Sequence, residues 1–257
     1  MAGHGGFDHN LHALRIVDQL ESPYPGRPGL NLSWEVREAM AHHSGRRDHP
    51  AVGDLFAAGE PTLEARVVDA ADSLAYDTHD LDDAISYGLL TLDELDDVEL
   101  WRTAAERVRG EAPDLSPLAF RKSVVRALIE RQVSDMLDHT QKQIRDERVE
   151  SLADVRRVPG LVGNGEPVRR AKAEIEAFLH ERVYRHPRVR AMQERGKQVV
   201  RGLFSAYRDS PAEVPERFSR RYGTEPPEQV ICDYIAGMTD RFARQEYERL
   251  YPSDRRV

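Results

Sequence analysis

The feature that most constrains this chain is the spacing of its apolar residues, which recur every three or four positions almost throughout. This spacing is typical of amphipathic helices, because an α-helix completes a turn in about 3.6 residues. Runs that alternate apolar and polar residues, rich in Val, Ile and Thr, are missing. The sequence therefore predicts an all-α fold.

Breaks in this periodicity divide the chain into predicted helices. Glycine and proline mark most of the breaks, since proline removes an amide donor and restricts its neighbour. The predicted helices cover residues 9–21, 33–42, a long segment after Pro61, 118–144, 168–181, 189–207 and 229–250. The break at 159–167 is the richest in glycine and proline. We therefore predict an N-terminal helical part over 1–158 and a C-terminal helical part over 159–257.

Charge and cysteine content narrow the possible functions. The chain has a formal net charge of -8 and a single cysteine, Cys232. An acidic chain repels a phosphate backbone unless its arginines cluster, so no specific nucleic-acid binding is predicted. One cysteine cannot form an intrachain disulfide, and no apolar run has the length of a signal peptide or membrane span. These features predict no membrane association and a cytoplasmic location.

The segment 61–83, read as a helix, places four carboxylates and a tyrosine on one stripe. Their spacings are three, four, four and three residues, for Asp69, Asp72, Tyr76, Asp80 and Asp83. Apolar residues fall mostly elsewhere and are predicted to face a core, namely Leu63, Val67, Ala70, Leu74 and Ile85. Like charges one turn apart destabilise a helix. A divalent cation or neighbouring arginines would compensate them, and a solvated acidic face is the alternative.

Most of the ten histidines are interpreted as surface or packing residues. Two groups could supply metal ligands or a general acid, namely His4, His9 and His12 near the N-terminus and the pair His42 and His43. The chain has no His-Glu-x-x-His pair, no Cys-x-x-Cys, no phosphate-binding glycine loop and no Gly-x-Ser-x-Gly turn. Spacing alone therefore identifies no reaction.

Three blocks of sequence, in order along the chain, form a recognisable pattern. The first is Gly-Gly-Phe-Asp-His-Asn at 5–10, followed by Leu-Arg-Ile-Val at 14–17 and Tyr-Pro-Gly-Arg-Pro-Gly-Leu-Asn-Leu at 24–32. The second runs from Pro61 through Ala-Asp-Ser-Leu-Ala-Tyr to His-Asp-Leu-Asp-Asp at 79–83, and the third is Asp-Tyr-Ile-Ala-Gly-Met-Thr-Asp-Arg-Phe-Ala at 233–243. Together these blocks resemble the dGTPase-like proteins of the HD superfamily. The resemblance implies a partial HD-type helical bundle with a C-terminal helical extension.

The resemblance also implies roles for four residues. Asp72 matches the distant aspartate of a metal site that also uses a histidine and a His-Asp pair, so a divalent cation such as Mg²⁺ or Mn²⁺ is the implied cofactor. Tyr76 matches a sugar-contacting tyrosine, and Asp80 matches a position near the sugar 3′-hydroxyl. His9 matches a pocket histidine that acts on the phosphates or the leaving group.

The departure from the family pattern lies at the N-terminus. The first metal histidine and the His-Asp pair lie upstream of the Gly-Gly-Phe block in the family, and only four residues precede that block here. We expect either a truncated or mis-started chain or a non-catalytic descendant. Basic residues for the triphosphate are not placed by motif; Arg15, Arg121 and Arg126 are candidates, with ordinary surface arginines as the alternative.

For intact relatives, the resemblance implies attack by metal-activated water at the α-phosphate, which yields a deoxynucleoside and triphosphate. The implied substrate is a dNTP, and a homo-oligomer is suggested. With one of the expected ligands present, this chain is predicted to be weakly active or inactive. A non-catalytic nucleotide-binding or oligomerising subunit is the alternative function, and an interaction-only helical scaffold is the third.

Overall fold

In the computed structural model of the protein, residues 6–49 and 52–252 are described, and helices are the only regular elements they form. The α-helices are α1 His9–Arg15, α2 Trp34–Ser44, α3 Leu63–Ser86, α4 Glu99–Glu111, α5 Pro117–Asp146, α6 Leu152–Arg157, α7 Glu166–Leu179, α8 Pro187–Asp209, α9 Glu216–Ser219, α10 Pro227–Ala236 and α11 Asp240–Leu250. Two π-helical turns, Ile16–Leu20 and His180–Tyr184, continue α1 and α7. The all-α prediction is confirmed. None of the described helices combines the length and apolarity needed to cross a membrane.

Side-chain caps explain where several of these helices begin. The Ser33 hydroxyl accepts a hydrogen bond from the Val36 amide before α2, and the Thr62 hydroxyl accepts one from the Ala65 amide before α3. Each cap satisfies an amide that has no partner in the first helical turn. The predicted helices that start at residue 33 and after Pro61 are thus confirmed by local chemistry.

The prediction of one helix over 229–250 is wrong. Helix α10 ends at Ala236, and α11 begins at Asp240. The Thr239 hydroxyl accepts a hydrogen bond from the Phe242 amide at 3.2 Å and so caps a new helix. Apolar periodicity alone does not detect such a break, because α10 and α11 both present apolar faces to one core.

Helix α4 was not among the predicted helices. Its buried face includes Ala104 and Ala105 beside the fully buried Trp101. Leu100 and Val108 lie on the same buried face. The apolar spacing of a helix was therefore present in the sequence of this element.

The unit Ala13–His186 is built around one hydrophobic core. Helices α3, α4, α5 and α7 supply most of it, and its fully buried members include Leu81, Leu95, Trp101, Leu128 and Leu179. In α3, Leu74 is buried as predicted, whereas Val67 is 38% exposed and does not belong to this core. This packing determines which faces of α3 and α7 lie outside the core.

The second unit combines Met1–His12 with Pro187–Val257. Helices α8, α10 and α11 form its core, which contains Leu203, Tyr207 and Ile231, all fully buried. Because α7 packs in the core of the first unit through Ala171, Ile175 and Leu179, the compact units divide after His186. The domain boundary predicted after residue 158 stays a prediction.

Gly202 tests the packing of α8 against α11. A Cβ at this position would overlap Cε2 of Tyr247, so Gly202→Ala must displace an aromatic ring. We expect the free energy of unfolding to fall by about 1–3 kcal/mol in urea denaturation followed by circular dichroism. Gly196→Ala is the matched control in the same helix, because nothing lies within 4 Å of its Cβ. It should stabilise the protein by about 0.5–1 kcal/mol, and equal effects of the two substitutions would contradict direct contact at Gly202.

Candidate functional site

Helix α3 carries the predicted stripe on the side that the core leaves open. Asp69, Asp72, Tyr76 and Asp83 are exposed, and Asp80 is half-buried. The opposite side of the helix contributes Leu81 and Ala84 to the core, and Leu74 on this helix is also buried. The helical reading of 61–83 is therefore confirmed, and the stripe forms a continuous face in the unit Ala13–His186.

At the Asp80 end of this face lies Tyr184, which the sequence did not single out. Its hydroxyl donates a hydrogen bond to Oδ2 of Asp80 at 2.5 Å. Burial raises the pKa of Tyr184 above its ordinary value, and the Asp80 carboxylate and the Tyr76 hydroxyl raise it further. Tyr184 is therefore a neutral hydrogen-bond donor near neutral pH. Together, Tyr76, Asp80 and Tyr184 form a hydroxyl-carboxylate cluster.

The π-helical turn at the end of α7 brings Tyr184 to this position. The predicted helix ends at residue 181, whereas the turn His180–Tyr184 continues α7 to Tyr184. Val183 in the same turn is buried in the core, which anchors the segment. A tyrosine 104 residues from its partner Asp80 leaves no local signal in the sequence, so packing alone shows the contact.

At the other end of the face, His43 from the last turn of α2 approaches two of the aspartates. Its Nδ1 lies 2.5 Å from Oδ1 of Asp69 and its Nε2 lies 4.0 Å from Oδ2 of Asp72. The sequence predicted that a cation or arginines would compensate the carboxylates. The structure instead places a histidine, His43, beside them. Asp69 and Asp72 side chains are 62% and 68% exposed, so the contact is solvated.

Asp72 is the predicted metal ligand, and a metal site there requires further ligands from neighbouring side chains. Among the described residues, no group of three or more His, Cys, Asp or Glu side chains is arranged to hold a metal ion. His43, Asp69 and Asp72 lie close together but do not form such a group, because Nδ1 of His43 already contacts Oδ1 of Asp69. The described residues therefore do not form a metal site by themselves.

The histidines near the N-terminus differ in their surroundings. His9 is exposed at the start of α1, where the Asp8 carboxylate caps the helix by accepting from the Asn10 and Leu11 amides. His12 is buried, and its Nδ1 lies 3.7 Å from Oδ1 of Asp233. His4 lies outside the described residues. His9 belongs to the unit that includes Pro187–Val257, so its proposed action at the α3 face stays a prediction.

The third sequence block is structural within its unit. Asp233 is buried, and it accepts hydrogen bonds from the Arg221 guanidinium and from Nε2 of Gln229 at 2.9 Å. Thr239 in the same block caps α11. Asp233 and Thr239 of this block therefore contribute to the fold of this unit.

The three arginines considered for the triphosphate lie in different settings. Arg15 donates to Oε1 of Gln19 at 2.7 Å, and Arg121 Nε lies 2.9 Å from Oδ1 of Asp82 on α3. Arg126 is exposed and lines a shallow groove along α5. Arg121 thus forms an ion pair with a carboxylate of α3.

Comparisons with known proteins agree on one family. A protein-family profile described as "Phosphohydrolase-associated domain" matches residues 162–249. The "Deoxyguanosinetriphosphate triphosphohydrolase-like protein" of Geobacter metallireducens is 42% identical over 260 residues, which cover 100% of this chain and 68% of the relative. The protein of the same name from Geobacter sulfurreducens is 38% identical, with the same coverage. The one from Bordetella pertussis is 39% identical over 251 residues, covering 96% of this chain and 65% of the relative.

Proposed function

This chain belongs to the family of deoxyguanosinetriphosphate triphosphohydrolase-like proteins, and we propose that it binds deoxynucleoside triphosphates on the exposed face of α3. The observation that carries the proposal is the cluster of Tyr76, Asp80 and Tyr184 on that face. Polar hydroxyl and carboxylate groups that converge beside aromatic rings suit a sugar. The family name supports a hydrolase that acts on the triphosphate of such a nucleotide.

In this proposal Asp80 receives the sugar 3′-hydroxyl. Tyr184 occupies Oδ2 of Asp80, and the described residues provide no partner for Oδ1. That oxygen is available to accept a hydrogen bond from the 3′-hydroxyl, while Tyr184 holds the carboxylate in one orientation. The ring of Tyr76, which is 59% exposed, is available to pack against the sugar. Crowding by the two tyrosines would disfavour a 2′-hydroxyl.

We further propose that Asp72, which lies one turn before Tyr76, faces the phosphate end of a nucleotide whose sugar sits at Tyr76 and Asp80. One exposed carboxylate holds a divalent cation weakly, since such an ion takes about six or more oxygen ligands. We propose that Asp72 is one ligand of a divalent cation such as Mg²⁺ or Mn²⁺ and that the other protein ligands are not among the described residues. His9 is proposed to act at the phosphates or the leaving group.

Nucleotide binding without hydrolysis is the second candidate function. It is supported by the position of His43, which contacts Asp69 and lies near Asp72 without an ion between them. In that case the chain is a non-catalytic nucleotide-binding or oligomerising subunit that keeps the Tyr76, Asp80 and Tyr184 cluster.

We also propose a homo-oligomer, on the family resemblance, and a cytoplasmic location, on the sequence alone. Light scattering after gel filtration tests the oligomeric state.

Tyr184→Phe tests the proposed sugar site. The substitution removes the hydroxyl that holds Asp80 but keeps the ring. We expect the affinity for dGTP, measured by calorimetry in the presence of Mn²⁺, to fall about threefold to tenfold, the value of one hydrogen bond. Tyr24→Phe is the matched control, because Tyr24 is exposed and packs against Arg27. Unchanged dGTP affinity in Tyr184→Phe, or equal loss in the control, would remove the support for this site.

A further inference from the structure

A largely buried charged cluster joins α3 to α7 beneath the face just described. Lys172 of α7 donates to Oδ2 of Asp77 at 2.6 Å and to the Ser73 hydroxyl at 3.0 Å, and it also pairs with Glu176. The side chains of Lys172 and Asp77 are 14% and 10% exposed. Burial raises the pKa of Asp77, and the hydrogen bond from Lys172 opposes this shift. The proposed nucleotide chemistry does not use this cluster.

The position of the cluster relates it to the α3 face. Ser73 directly follows Asp72, and Asp77 directly follows Tyr76, so Lys172 contacts the same turn of α3 that carries these residues. Lys172 itself lies in the helix that leads through the π-helical turn to Tyr184. One lysine thus connects the two elements that build the Tyr76, Asp80 and Tyr184 cluster.

We infer that Lys172 is a positioning residue, whose contacts with Ser73 and Asp77 set the register of α7 on α3 and thereby hold the Tyr184 hydroxyl on Asp80. The inference rests on the proposed function only where it concerns sugar recognition. The placement of the Tyr184 hydroxyl by Lys172 does not depend on that function. Lys172 touches no substrate in this account.

Apolar packing constrains this register, but it does not by itself place a hydroxyl on one carboxylate oxygen. Helix α7 also packs through Ala171, Ile175 and Leu179, and hydrophobic contacts are not directional. A slip by one residue moves a helix by about 1.5 Å. The Tyr184 hydroxyl lies 2.5 Å from Asp80, so a slip of this size directed along the bond would carry the pair beyond the range of a hydrogen bond, which ends near 3.2 Å.

A buried charged pair suits a positioning role better than a stabilising one. Removal of two charges from water costs several kcal/mol, which their attraction roughly offsets, so replacement of both partners by apolar residues is often neutral for stability. Charge-assisted hydrogen bonds are nevertheless short and directional. We therefore expect loss of the pair to change the placement of Tyr184 more than the stability of the fold.

The test places 3-fluorotyrosine at position 184 and follows its ¹⁹F resonance against pH. The variant is Asp77→Leu with Lys172→Met, which removes one charge of each sign and so keeps the net charge. We expect the pKa of the fluorotyrosine to fall by at least about one pH unit relative to the parent, because its hydrogen bond to Asp80 is lost. Lys172→Arg, which keeps a donor to Asp77, should retain the parent value.

The matched control is Glu166→Leu with Arg170→Met, an exposed pair on the same helix whose charged atoms lie 3.8 Å apart. It should leave the ¹⁹F titration unchanged. Circular dichroism checks that each variant folds; if the apolar pair does not, Asp77→Asn with Lys172→Gln takes its place. An unaltered titration in a folded variant that lacks both charges overturns the inference.

Binding of dGTP and GTP to the same proteins separates this inference from the proposed function. If both hold, the variant that lacks the pair loses about threefold to tenfold in its preference for dGTP over GTP, as expected for one lost hydrogen bond. If the parent binds neither nucleotide and the ¹⁹F titration still shifts, the proposed function fails and the positioning of Tyr184 by Lys172 is supported. If dGTP binds and the titration does not shift, the proposed function stands and the inference fails.

Discussion

Fusion of this chain to an upstream segment that carries the family's histidine and His-Asp pair is expected to produce hydrolysis of deoxynucleoside triphosphates, with triphosphate rather than pyrophosphate as the second product. The chain by itself is expected to release little or no triphosphate. The difference follows from the metal ligands, because the described residues do not form a metal site around Asp72. The resemblance places the histidine and the His-Asp pair in the segment upstream of the Gly-Gly-Phe block.

Chromatography of the products identifies triphosphate, and chelation of divalent cations should abolish its release. Within the fused protein, Asp72→Ala should lower turnover by more than about 100-fold, since even partners in the second shell of a metal cost 10-fold to 100-fold. Tyr76→Phe should instead cost about threefold to tenfold through weaker positioning of the substrate. The ratio between the two effects distinguishes a metal ligand from a sugar contact.

Two results would contradict this account. Robust activity of the chain alone, removed by Asp72→Ala, would show that other residues such as His43 complete the metal site. A fused protein that folds and binds metal but leaves every dNTP uncut would favour the non-catalytic nucleotide-binding subunit.

Arg156→Met is expected to lower the free energy of unfolding by about 3–5 kcal/mol. Arg156 in α6 makes a bidentate ion pair with Glu38 in α2, with distances of 2.6 and 2.8 Å, and it also donates to the Glu60 carbonyl at 2.7 Å. The Glu38 side chain is completely buried. Methionine keeps much of the volume but leaves a carboxylate without its partner in the interior, and this is the main cost.

Urea denaturation provides the measurement, and the neighbouring residue provides the control. Arg157 pairs with Asp154, but its side chain is 68% exposed. Arg157→Met should therefore change the free energy of unfolding by less than about 1 kcal/mol. If Arg156→Met lowered the free energy of unfolding as little as Arg157→Met, Glu38 would have to bind water or another donor. The buried ion pair would then not be what holds α2 against α6. Restored stability in Arg156→Met with Glu38→Leu would identify the unpaired charge as the cause.

Features of the fold that depend on near neighbours in the chain follow from the sequence, whereas features that depend on distant residues do not. Helix α3 and its acidic face follow from periodicity and from the Thr62 cap, which act within one or two turns. The break between α10 and α11 is also local, but the Thr239 cap lies inside an apolar pattern that continues on both sides. The sequence could have revealed it through Gly237 and Thr239 together.

The sequence by itself determined the helical class, the position of α3 and the side of α3 that carries Asp72, Tyr76 and Asp80, because helical spacing and capping depend on near neighbours. Only the tertiary structure decided what faces that side. Tyr184 and Lys172 reach α3 across separations of 104 and 95 residues, and their contacts arise from the packing of α7 on a shared core. No local pattern encodes which residue of one helix meets which residue of another, since that register depends on side-chain packing and on buried polar pairs formed after the helices meet.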